Sequence, residues 1–83
     1  MLTFDQWGQQ VRELLPDFGT VAVKYSLFLN TEAAERLLDV GEYLTVFAML
    51  QGFCEGLQID PSAALEHAQL CDILKSYPHE ESH

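Results

Sequence analysis

Residues 43–50 of this chain read YLTVFAML, and Phe53, Cys54 and Leu57 continue the same apolar character. Together they predict one helix, over about residues 42–57, that is apolar on nearly every side. Such a helix has no polar face to turn toward water, so other helices of the chain or of a partner have to surround it. The stretch therefore predicts a single all-α domain of four to five helices, with a helical hairpin core around this central apolar helix.

The composition is that of a small, acidic, ordered protein. The chain has 83 residues, 48% of them hydrophobic, and a formal net charge of -9. A chain of this length forms one domain with a limited core, so we expect a homo- or hetero-oligomer. Its Lys and Arg residues number 4 against 13 acids, too few to neutralise phosphate groups. This argues against nucleic acid and anionic membranes as partners and favours a basic protein.

The two ends of the chain carry no targeting signal that we recognise. The N-terminal residues lack a positive start followed by an apolar stretch. The longest apolar run is shorter than the ~18–20 residues that a membrane span needs. We therefore expect a cytoplasmic protein, with a helical domain over residues 1–77 and a flexible C-terminal tail over residues 78–83.

The first helix has a clear predicted start and end. Thr3 can cap it, and Gln6, three residues later, completes a capping box. Apolar residues then recur at spacings of three and four residues. Pro16 is predicted to end the helix, because it cannot donate a backbone hydrogen bond and disfavours the helical conformation of the preceding residue. Asp17-Phe18-Gly19 is the predicted turn.

Residues 20–29 allow two interpretations. Val21, Val23, Tyr25, Leu27 and Leu29 alternate with smaller or polar residues, which is typical of a half-buried strand. No other stretch of the sequence resembles a strand that could pair with it, so a strand would have to pair across an interface. We therefore predict a helix here, with the paired strand as the alternative.

Acidic side chains recur along the third predicted helix. Asn30 or Thr31 can cap this helix, and Gly41 is placed to end it. Four acids in and just after the helix are spaced three or four residues apart and form one acidic face: Glu32, Glu35, Asp39 and Glu42. This acidic face is either an ordinary solvated surface or a docking surface for a basic partner.

The two cysteines fall on the last two predicted helices, and we expect small, buried, hydrophobic side chains. Asp60-Pro61 predicts the start of the last helix. A hairpin that turns near residues 58–60 places Cys54 opposite Leu65, with Cys71 about 9 Å farther along. A disulfide requires Cα atoms within about 7 Å, so we predict no disulfide and a reducing environment.

Two patterns contain residues that bind metals. His79, Glu80 and His83 form the sequence His-Glu-x-x-His, but they follow a proline and have no predicted helix to hold their geometry. His67 and Cys71 are four residues apart on a predicted helix, yet the sequence shows no second pair at a matching spacing. We therefore predict no metal site, no cofactor and no enzymatic activity.

The remaining hypothesis is protein binding. We predict an adaptor, chaperone or inhibitor that receives a helix or strand of a partner in an apolar groove. The predicted contact residues are large side chains of the central helix: Tyr43, Phe47, Leu50 and Phe53. The alternative is an acidic inhibitor or nucleic-acid mimic that acts through the acidic face on a basic protein. Binding through exposed charges weakens steeply with salt, whereas apolar docking does not, so salt separates the two.

Overall fold

The computed structural model describes residues 2–78 and shows an all-α fold, as predicted. Its four α-helices are α1 (Phe4–Lys24), α2 (Thr31–Asp39), α3 (Tyr43–Ile59) and α4 (Ala64–Lys75), with a 3₁₀ turn at Pro61–Ala63. None of the described residues forms a strand. The predicted tail and its His79, Glu80 and His83 lie outside the described range, although Pro78, which was assigned to that tail, is buried.

Helix α1 runs without interruption through Pro16. The prediction that Pro16 ends the first helix and that residues 17–19 form a turn is therefore wrong. Thr3 caps the helix as predicted: its Oγ1 accepts from the Gln6 N–H at 3.1 Å, and the Gln6 side chain accepts from the Thr3 N–H at 2.9 Å. Proline in a helix interior is about 3 kcal/mol less favourable than alanine, so another term has to offset it.

Burial of the opposite face of α1 supplies that term. Pro16 itself is exposed, so the carbonyl that loses its helical donor lies on the solvent side of the helix. The buried stripe continues past the proline with helical spacing: Trp7, Val11, Leu15, Phe18 and Ala22. Fully burying a large apolar side chain contributes about 1.5–3 kcal/mol. The residues of this stripe together therefore outweigh the cost of one proline.

Helix α1 ends at a Schellman motif and not at the proline. The Ser26 N–H donates to the Val23 carbonyl at 3.2 Å, and the Leu27 N–H donates to the Ala22 carbonyl at 2.8 Å. Ser26 has φ +57°, the left-handed conformation that glycine usually takes here. Residues 20–24 belong to α1 and the following residues connect it to α2. Neither the separate helix nor the strand predicted for residues 20–29 forms.

The ends of α2 follow the signals in the sequence. Asn30 Oδ1 accepts from the Ala33 N–H at 3.0 Å and caps the start of the helix. Gly41 has φ +77° just beyond its end. The Gly41 and Glu42 N–H groups donate to the Leu38 and Leu37 carbonyls at 3.2 and 2.9 Å, a second Schellman motif. This motif reverses the chain tightly, so that α2 and α3 pack side by side.

The helices of the chain itself cover the centre of α3. Val46 and Leu50 have no exposed area, and Phe53 and Leu57 are nearly as buried. The exposed large apolar side chains of α3 lie at its two ends, where Leu44 is 68% and Ile59 is 83% exposed. Among the helices of residues 2–78, none combines the length and apolar character needed to cross a membrane.

The two glycines of α3 have different surroundings, and this supports a first prediction. A Cβ added at Gly52 meets no atom within 4 Å, whereas one at Gly56 lies 3.0 Å from Leu27 Cδ2. Gly52→Ala is therefore expected to raise the free energy of unfolding by about 0.5–1 kcal/mol, the usual gain in a helix interior. Gly56→Ala is expected to show no gain, because Leu27 has to move. Urea titration of both variants measures the difference, and an equal gain in both contradicts the packing of Leu27 on α3.

Candidate functional site

Two cavities lie along the seam between α1 and α4. The first has a volume of about 300 Å³ and is lined by Leu14, Asp17, Phe18, Val21, Leu57, Glu66 and Gln69. The second has a volume of about 370 Å³ and is lined by Leu2, Gln10, Leu14, Gln69, Asp72, Ile73 and Ser76. Both lists contain Leu14 and Gln69, so the cavities adjoin and form one groove. We call it the α1–α4 groove.

Hydrogen bonds tie α1 to α4 and to the turn before it at the two ends of the groove. At one end, Trp7 Nε1 donates to the Ile73 carbonyl at 2.8 Å. At the other end, the Tyr25 hydroxyl lies 3.1 Å from the Ser62 carbonyl and 3.2 Å from Glu66 Oε2. Between these two ties, Leu14 of α1 and Gln69 of α4 line both cavities. The length from residue 10 to residue 21 of α1 corresponds to about 16 Å at the helical rise.

Glu66 is the most unusual polar group of the groove. Its side chain is only 19% exposed, and its Oε2 lies 3.6 Å from Lys24 Nζ. Its other carboxylate oxygen, Oε1, is buried without a hydrogen-bond partner among the described residues. A buried oxygen of this kind costs free energy until a donor reaches it. The lining of the groove therefore includes a carboxylate with one oxygen that the described residues leave without a donor.

The charge of the groove is negative. The nearby backbone N–H of Glu66 itself, followed by the Tyr25 hydroxyl and the Lys24 ammonium, holds the pKa of Glu66 below its ordinary value, although burial opposes this. Glu66 is thus a carboxylate at neutral pH. Asp17 and Asp72 also line the groove, while no basic residue lines either cavity. An apolar floor with carboxylates beside it suits a ligand that is both apolar and cationic.

The four contact residues predicted from the sequence do not form a groove together. Leu50 and Phe53 are 0% and 4% exposed and belong to the core, so a partner cannot reach them in this structure. Tyr43 and Phe47 are partly exposed and belong to an aromatic cluster. The ring centroids of Phe47 and Tyr77 are 4.5 Å apart, and Tyr43 donates a hydrogen bond to Asp5 Oδ1 at 2.7 Å, which raises the pKa of Tyr43.

The acidic face lies on α2 and the turn after it. Its four members, Glu32, Glu35, Asp39 and Glu42, are all exposed. Asp39 forms an ion pair with Arg12 at 2.6 Å, which neutralises part of the face. Asp39 lines a cavity between α1 and α2 with Arg12 and Tyr43, and the other three carboxylates are not part of its lining. The acidic face is thus an exposed polar surface, whereas the α1–α4 groove has a largely apolar lining.

The structure brings the two cysteines together, contrary to the sequence-based distance. Cys54 Sγ and Cys71 Sγ are 3.8 Å apart, and both thiols are free. The expected offset of about 9 Å was wrong because the hairpin turns later. The 3₁₀ turn at Pro61–Ala63 follows α3, so Cys54 and Cys71 lie at nearly equal sequence distances from the turn. Burial, and secondarily the neighbouring Cys71, raises the pKa of the Cys54 thiol to about 11.

Sequence reasoning missed the residues of the groove for one reason. Leu14, Phe18 and Val21 have the spacing of a single helix face, but a helix that ends at Pro16 separates the first from the other two. The spacing across the proline was the available signal.

Comparisons with protein-family models, with curated proteins and with solved structures gave no match. The function therefore has to be argued from the geometry of the chain.

Proposed function

We propose that this domain is a protein-binding module whose α1–α4 groove accepts a short, basic, amphipathic segment of a partner protein. The observation that carries the proposal is Glu66, which lines an apolar cavity and whose buried Oε1 has no hydrogen-bond partner within residues 2–78. A lysine or arginine side chain can lay its aliphatic stem along the partly exposed Leu14 and Val21 and donate to this carboxylate.

The charge of the domain supports a basic occupant. With a net charge of -9, the protein attracts cationic segments and speeds their association. A second copy of this chain carries the same charge and is repelled, which disfavours it as the occupant. The length of the groove, about 16 Å, matches about three turns of a partner helix. This proposal keeps the predicted class of function and moves the contact surface from α3 to the α1–α4 seam.

A peptide titration tests this proposal. The probe is a labelled helical peptide of about 12 residues, with leucines on one face and lysines on the other, and binding is followed by fluorescence anisotropy. A peptide of the same charge without leucines is the ligand control. We expect the amphipathic peptide to bind more tightly, and to keep most of its affinity as salt rises, because apolar contacts are not screened.

Matched variants then locate the binding surface. Glu66→Gln removes the least exposed of the three carboxylate charges that line the groove. We expect it to weaken binding at least about tenfold, since a hydrogen bond to a charged group contributes about 1.5–3 kcal/mol. Val21→Ser is expected to weaken binding by removing an apolar contact. Glu32→Gln makes the same charge change on the acidic face and should leave the affinity within about twofold. If Glu32→Gln weakens binding and Glu66→Gln does not, the acidic-inhibitor alternative replaces the groove.

A further inference from the structure

Three side chains that can bind a metal ion lie close together outside the groove. They are Cys54 on α3 and His67 and Cys71 on α4. One sulfur or nitrogen atom from each of the three side chains lies within 4.8 Å of the other two. Cys71 Sγ is 3.8 Å from Cys54 Sγ and 3.6 Å from His67 Nε2. Cys54 is nearly buried, whereas His67 and Cys71 are partly exposed, so the cluster lies at the edge of the core.

These distances match the edges of a tetrahedral zinc site. With Zn–S bonds of about 2.3 Å and Zn–N bonds of about 2.0–2.1 Å, tetrahedral angles give about 3.8 Å between two sulfur ligands and about 3.5 Å between sulfur and nitrogen. Two of the three edges in the structure have these lengths to within about 0.1 Å. The third edge, between Cys54 and His67, is at most 4.8 Å long, so zinc binding requires at most a small movement of the partly exposed imidazole.

We propose that Cys54, His67 and Cys71 bind one Zn²⁺ ion, with water as the fourth ligand. Thiolate and imidazole ligands favour zinc over magnesium or calcium, which prefer oxygen. Binding replaces the two thiol protons, which pass to solvent, with two Zn–S bonds. Three protein ligands and one water leave an exchangeable position, unlike the four protein ligands of a closed structural site. The fourth position faces solvent because His67 and Cys71 lie at the surface edge of the cluster.

The fold brings a third metal ligand close to His67 and Cys71, which the sequence pattern alone did not show. Four residues apart on α4, these two side chains share one helix face. Cys54 of α3 adds the third ligand. The 3₁₀ turn between the helices sets the alignment of α3 with α4, and so places Cys54 beside Cys71. Because α3 and α4 are already packed together, the site is largely preformed. Zinc therefore clamps the two helices, and the bound protein is expected to melt several degrees higher than the metal-free protein.

A cobalt titration of the full-length, reduced protein tests the site. Co²⁺ takes the place of zinc and reports thiolate ligands through near-ultraviolet charge-transfer bands and tetrahedral geometry through intense visible bands. We expect both sets of bands to saturate at one ion per chain and to disappear when zinc is added. Absence of the bands, together with a melting temperature that zinc leaves unchanged, overturns the proposal.

Variants assign the ligands. Cys71→Ser and Cys54→Ala are each expected to weaken Co²⁺ binding by more than about 100-fold, beyond the effect typical of residues behind the ligands. Cys71 is partly exposed, so its variant should fold even if Cys54→Ala does not, and circular dichroism checks both. The matched control changes His79 and His83 to alanine and should bind normally. Loss of binding in that control alone, or oxidation of the two thiols to a disulfide without metal binding, overturns the proposal.

Discussion

Replacing Trp7 with alanine is expected to lower the free energy of unfolding by about 3–5 kcal/mol, the usual cost of truncating a buried tryptophan. Trp7 has no exposed area, and its ring packs edge-on against Tyr77 with centroids 4.9 Å apart. Its indole N–H also ties α1 to the Ile73 carbonyl of α4. A domain of this length has a total stability of roughly 4–12 kcal/mol. The variant therefore loses a large share of it.

The matched variant Trp7→Phe separates packing from hydrogen bonding. It keeps an aromatic ring but loses the indole donor, while the Ile73 carbonyl still accepts from Ser76 Oγ at 2.8 Å. We therefore expect it to cost more than about 1 kcal/mol but clearly less than the alanine variant. Urea titration followed by circular dichroism measures both, since Trp7 is the single tryptophan of the chain. If Trp7→Ala lowers the free energy of unfolding no more than an exposed substitution such as Gln9→Ala does, Trp7 does not hold α1 against α4, and the structure is contradicted at this contact.

Replacing Pro16 with alanine is expected to stabilise the domain by about 1–3 kcal/mol. Alanine restores an N–H inside α1 and removes the clash of the proline ring, a difference of about 3 kcal/mol in a helix interior. Part of this gain is lost because proline restricts the unfolded chain, an effect of about 0.4–1 kcal/mol. For a domain of this size the net gain corresponds to a rise in Tm of at least about 5 °C.

This substitution distinguishes the continuous helix from the two-helix interpretation. If Pro16 ended the helix at a turn, alanine would remove a favourable turn residue and destabilise the protein. In the continuous helix, stability rises while the circular dichroism spectrum of the folded state hardly changes. Glu13→Ala is the control, as it changes an exposed position one turn earlier and should alter the stability by less than about 0.5 kcal/mol. A loss of stability in Pro16→Ala contradicts the uninterrupted α1.

The candidate sites were less accessible to sequence reasoning than the fold. Tyr43, Phe47, Leu50 and Phe53 were chosen as contacts because large apolar side chains carry most binding energy, but the same property also places side chains in a core. Leu50 and Phe53 are core residues. No local pattern shows whether such a side chain lies in the core or at a binding surface, because this depends on which neighbouring helix covers each position.

Local signals in the sequence were sufficient for the helical class and for several helix ends. The Thr3 capping box, the Asn30 cap and the turn at Gly41 each form as predicted, because they depend on hydrogen bonds between residues a few positions apart. The passage of α1 through Pro16 and the meeting of Cys54 with Cys71 depended on the packed domain. Both result from apolar burial summed over several helices, which outweighs a local preference of about 3 kcal/mol and sets the register of the last hairpin. The free energy of this burial is added over residues far apart in the chain, so no short stretch of the sequence is enough to predict it.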